Sequence, residues 1–123
     1  MVLKKRKDDS RLMQDIAVQG IIERKGQEIV CLDLRNVNAS VADYFIICHA
    51  ESGTQVRAIA ESVEEEIQKN FNEDPWRKEG LENSEWIILD YVTVVVHIFK
   101  KEKRYFYGIE ELWGDAEVVY QSA

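Results

Sequence analysis

The chain has 123 residues, 46% of them hydrophobic and 32% charged, and carries a formal net charge of −7 from 16 basic and 23 acidic side chains. That is one domain's length, long enough to bury a core without metal or disulfide staples. The acidic balance repels phosphate backbones, which excludes direct binding to bare nucleic acid and favours a basic partner.

Lys4, Lys5, Arg6 and Lys7 cluster near the start, and residues 1–8 read as a disordered basic tail. No apolar segment follows it, so no secretory leader is expected. No run approaches the ~18 apolar residues of a membrane span, so no membrane contact is expected either. The domain itself is expected over residues 9–118, with residues 119–123 as a closing tail.

Asp8, Asp9 and Ser10 offer helix-capping oxygens. Behind them Leu12, Met13, Ile16, Ala17, Gly20 and Ile21 recur at helical spacing, which predicts a helix over residues 9–24, with Gly26 past its end. The β-branched run "EIVCLDL" (28–34) and the run "YFIICHA" (44–50) read as buried strands. The nine-residue loop between them is too short for a helical crossover, so the pair should be antiparallel. Cys31 and Cys48 lie inside these runs without any CxxC spacing and read as reduced core thiols.

Ser52-Gly53-Thr54 opens a second helix, with Val56, Ile59, Ala60, Val63, Ile67 and Phe71 along one face and Glu61, Glu64, Glu65 and Glu66 on the solvated one. It should end near Asn70, ahead of Pro75. "WRKEG" (76–80) reads as a short strand or an extended connector. "EWIILDY" and "VVVHIF" form a hairpin around Val92-Thr93. A last helix is expected over 101–114, with Phe106, Ile109, Leu112 and Trp113 on its buried stripe. The order αββα(β)ββα predicts an α/β fold with a mixed sheet of about five strands flanked by helices.

Enzyme signatures are weak. No strained nucleophile elbow, P-loop or GxGxxG occurs, and Cys31, Cys48, His49 and His97 lack zinc-ligand spacing. Asp33, Asp43 and Asp90 could serve Mg²⁺-dependent nucleotidyl transfer, but that chemistry needs carboxylates close together. Capping and loop roles are the better reading of these aspartates. In the hairpin, alternation puts Trp86, Ile88 and Asp90 on one face, and Val95, His97 and Phe99 on one face of the other strand. Two readings stay open. The aromatic, acid and imidazole are displayed together as a protein-binding patch, or the face is partly covered and His97 pairs with a nearby acid.

The segments "VADYFIICHAESGTQVRAIAESVEEEI", "EWIILDYVTVVVHIF" and "YGIEELWGDAE" resemble the ribosomal silencing factor family, also called Iojap-related, from about Gln14 to Glu117. The resemblance implies a nucleotidyltransferase-like fold without the catalytic carboxylate set, hence no catalysis and no cofactor. It implies a cytoplasmic factor that binds ribosomal protein fourteen on the intersubunit face of the large ribosomal subunit. There it would block joining of the small subunit and repress translation when nutrients are scarce. A homodimer off the ribosome is implied too. Carried onto this chain, the contact surface would centre on Trp86, Asp90, His97, Tyr105 and Tyr107. Trp113 would pack the last helix down, and Asp43 would order the loop before the second strand. The family carries Gly-Asp where this chain has Val92-Thr93, so a wider hairpin end is expected here.

Overall fold

The computed structural model describes residues 7–37 and 41–122. The elements run α1 (Lys7–Glu23), β1 (Gln27–Asp33), β2 (Tyr44–Ala50), α2 (Gly53–Phe71), β3 (Arg77–Glu79), β4 (Trp86–Asp90), β5 (Val94–Lys100), α3 (Lys101–Tyr107), α4 (Ile109–Leu112) and β6 (Glu117–Gln121). The strands form one sheet in the order β3-β4-β5-β2-β1-β6. All neighbours are antiparallel except β2 and β5, which run parallel. The short β1–β2 loop thus enforces the expected antiparallel pairing, while the long path through α2 permits a parallel one.

One sheet face is closed by α1 and α2. Met13, Ala17, Ile21, Val56, Ile59, Val63, Ile67 and Phe71 pack there against Ile46, Cys48, Ile87, Leu89, Val96 and Ile98. The two helices run antiparallel, because Gln55 near the start of α2 bonds the carbonyls of Arg24 and Lys25 past the end of α1. At their crossing a Cβ on Gly20 would lie 2.9 Å from Val63 Cα. The Ser62 hydroxyl donates to the Gly20 carbonyl at 2.7 Å. Ser52 caps α2 by accepting from the Gln55 amide, as the sequence predicts. Cys31 stands opposite Ile46 rather than Cys48, and both thiols are free, buried and pushed up to about 12 by burial.

Several expectations need correction. The first helix starts at Lys7, so Lys7 and Asp8 belong to it rather than to a tail; residues 1–6 lie outside the described residues. Leu12, placed on its buried stripe, is exposed, and Val18 is buried instead. The last helix is not continuous. Gly108 adopts a left-handed conformation, φ 54°, and splits it into α3 and α4, which turns Phe106 and Leu112 outward at 77% exposure each. Finally, residues 119–121, expected as part of a closing tail, continue β6, a sixth strand pairing with β1.

The hairpin end is tight, not wide. The Thr93 amide donates to the Tyr91 carbonyl at 2.9 Å across a single residue, Val92, at φ 75°. This is a γ-turn, the rare positive-φ form, and a β-branched side chain there stores strain.

Candidate functional site

The second face of the sheet carries the residues singled out in the hairpin. The β4–β5 register pairs Trp86 with Phe99, Ile88 with His97 and Asp90 with Val95, so the two alternating sets share one face. Their neighbours on the inner strands are Phe45, Ile47, Val30 and Leu32. Among the described residues this face is covered by the short helices α3 and α4 and by Leu34, Val37 and Ala42 of the β1–β2 loop, and Trp86 and Ile88 remain half-buried.

His97 does not face outward. It is 6% exposed, with the Phe45 ring 4.6 Å away edge-on and Trp86, Phe99 and Trp113 around the pair. Its partner is an indole, not an acid: Trp86 Nε1–H donates to His97 Nδ1 at 3.2 Å. That bond leaves the ring proton on Nε2, which has no hydrogen-bond partner among the described residues. Burial pushes the imidazole down to about 4, so it is neutral at pH 7. Alternation alone could not show this, because it says which face a residue is on and not what covers that face.

Trp86 is held from both sides. Its ring lies 5.0 Å from Phe99 and 4.7 Å from Tyr107 of α3. Beyond Tyr107 the surface is aromatic. Tyr105 is 64% exposed, and Phe106 packs edge-on to Tyr107 at 5.1 Å. Phe106 extends this patch, and Leu112 is exposed on α4; neither exposure was foreseen, and the signal was Gly108 in mid-pattern, a residue that ends helices in the left-handed conformation. Trp113 packs on Phe45 at 5.6 Å and so holds α4 to the sheet, as expected.

Asp90 serves the turn. Its Oδ1 accepts from the Val92 amide at 2.8 Å, and its Oδ2 lies 3.7 Å from Arg77 Nη2. Asp43 orders its loop through its backbone, donating to the Thr93 carbonyl and accepting from the Leu34 amide, both at 2.8 Å. Asp33 is gripped by Arg35 at 3.0 and 2.7 Å, and these bonds hold its carboxyl below the usual range. Asp33 on β1 and Asp90 on β4 are separated by β2 and β5, roughly 14 Å at ordinary strand spacing. Among the described residues no group of three or more His, Cys, Asp or Glu could hold a metal ion, and no helix is long and apolar enough to cross a membrane.

What anchors the aromatic surface is a buried arginine. Arg104 of α3, 5% exposed, donates to Glu110 at 2.8 and 3.2 Å, to the Glu28 carbonyl at 2.7 Å and to His49 Nδ1 at 2.9 Å. It therefore pins both short helices to the ends of β1 and β2. Glu28 sits in a β-bulge with φ 46°, which re-aims its carbonyl toward the guanidinium.

Comparison with known proteins places this architecture. The family model described as "Ribosomal silencing factor during starvation" matches residues 7–123. The ribosomal silencing factor of Halalkalibacterium halodurans is 38% identical over 104 residues, covering 85% of this chain and 87% of that protein. A crystal structure from Chromobacterium violaceum superposes with a TM-score of 0.78 at 30% identity over 85% of both chains. One from Bacillus halodurans gives 0.77 at 32% identity, covering 89% of this chain and 98% of that one. With almost its whole described length matched in both sequence and fold, the chain belongs to the ribosomal silencing factor family.

Proposed function

We propose that this chain silences ribosomes by occlusion. It docks on ribosomal protein fourteen of the large ribosomal subunit through the second sheet face, and its bulk there keeps the small subunit from joining. Translation falls as a result, under nutrient limitation. The observation that carries the reading is the aromatic surface of Trp86, Tyr105, Phe106 and Tyr107 along the thinly covered face. Large aromatic side chains on an apolar floor are the composition of a binding hot spot. The net charge of −7 adds attraction to a basic ribosomal protein.

Within this reading Trp86, Tyr105 and Tyr107 make contact, Asp90 shapes the adjoining turn, and His97 positions Trp86 from beneath. The action is regulatory and cytoplasmic, with no catalysis and no cofactor. Nucleotidyl transfer gains no support, because Asp33 is engaged by Arg35 and Asp90 by the hairpin turn. Off the ribosome a second copy covers the same apolar surface as a homodimer.

The test is a sucrose gradient of purified subunits with and without the protein. Free large and small subunits should accumulate in its presence, and Trp86→Ala should restore particle joining. Normal joining in the presence of the intact protein overturns the reading.

A further inference from the structure

At the far end of β4 from Trp86, and on the opposite sheet face, lies a concavity of about 220 Å³ lined by Glu73, Asp74, Trp76, Tyr91 and Val92. We propose that it binds the protonated side chain of an arginine or lysine presented by a basic protein segment. The inference does not rest on the docking face described above.

The lining suits a cation on an apolar stem. Trp76 is 75% exposed although it is the largest side chain type, and an indole face attracts guanidinium and ammonium groups. Arg77 already lies 6.0 Å from that ring, at the outer limit of such a contact. Glu73 and Asp74 place two carboxylates on the rim, and Tyr91 forms an aromatic floor. Tyr91 feels this negative field: burial raises its hydroxyl most, and Glu64, Asp74 and Glu73 raise it further. Val92, 55% exposed at φ 75°, supplies the apolar lip.

The segment is also held in shape before any ligand arrives. Asn72 closes α2 in the left-handed conformation. Gln68 donates to Asp74 Oδ1 at 2.9 Å, and the Trp76 amide donates to the Asp90 carbonyl at 2.7 Å. Pro75 between them has a fixed φ. An exposed tryptophan maintained beside a small preformed hollow is a feature that packing alone does not require. The volume is below that of a cofactor pocket and matches one side chain. The chain's net charge of −7 favours a basic protein as its source.

The experiment is a nuclear magnetic resonance titration of the full chain with a capped Gly-Arg-Gly peptide and its citrulline counterpart, which has the same shape without the charge. The arginine peptide should shift the Trp76 indole and Val92 amide saturably, and high salt should abolish the shift. Trp76→Ala and Asp74→Asn should each weaken it about fivefold. Trp76 is exposed, so its variant keeps the fold. Equal response to citrulline, shifts centred elsewhere, or no saturable shift overturns the proposal. It also falls if the triple change Lys4→Ser, Lys5→Ser and Arg6→Ser alters the Trp76 indole without peptide, because the chain's own cations would then fill the site.

Discussion

The indole N–H of Trp86 donates to Nδ1 of His97 across 3.2 Å, so a half-buried aromatic is oriented by a buried, neutral imidazole. The exposed edge of the sheet face is therefore set from below. His97→Ala removes the acceptor and opens a cavity among Phe45, Trp86 and Phe99, and should cost about 2–4 kcal/mol in denaturant unfolding. Trp86→Phe should cost less, yet weaken co-sedimentation with large subunits. Equal co-sedimentation of the Trp86→Phe and unmodified proteins would count against a docking role for the indole.

Acid should unfold this protein through its two histidines. His97 is lowered from 6.5 to about 4 by burial. His49 is lowered by burial and by the Arg104 charge, with Lys101 acting in the same sense and Glu28 and Glu51 opposing. A histidine whose folded value lies below its unfolded one contributes its full stability above pH 6.5. The unfolded chain takes up the proton first, so stability declines as pH falls from 6.5 towards 4. For His97 alone the loss by pH 4 is about 3 kcal/mol. Urea midpoints measured from pH 7 to pH 4 should fall, and His97→Gln should flatten the slope.

Relieving the hairpin turn should stabilise the fold. Val92 holds φ 75°, where glycine is at ease and a β-branched residue is strained. Because Val92 is 55% exposed, Val92→Gly loses little packing, and thermal unfolding should show a gain of about 1 kcal/mol. If Val92 lines a cation-binding hollow, the same variant should bind the arginine peptide more weakly.

Arg104 should govern the order of the aromatic surface. Arg104→Met strands the His49 ring nitrogen and the Glu28 carbonyl and frees Glu110, at a cost of about 3 kcal/mol. Amide hydrogen exchange should rise in α3 and α4 and stay unchanged in α1 and α2. Uniform acceleration throughout the chain would mean that the arginine supports the whole core instead.

Most of the architecture is a consequence of local pattern. Residues 44–50 had to be an inner strand, because seven successive positions without a polar solvent-facing set can only be buried on both faces. The α2 stripe, the Ser52 cap and the antiparallel β1–β2 pairing follow from spacing and loop length alone. That Trp86 and Asp90 share one face of their strand, and His97 and Phe99 one face of theirs, was legible too, since side chains alternate along a strand; that the two sets meet on one sheet face was decided by the β4–β5 register. What covers that face was not legible. Whether His97 is displayed or sealed depends on Phe45, Trp113 and Tyr107, which come from β2 and the two last helices, and on the Gly108 break that aims those helices. The tight turn at Val92 opposes local preference and exists because strand pairing outweighs it, whereas the strand at Glu117–Gln121 agrees with the strand preference of Val118, Val119 and Tyr120 and was passed over only because it is short. Periodicity determines the direction in which a side chain leaves the backbone; only the packed chain decides what meets it there.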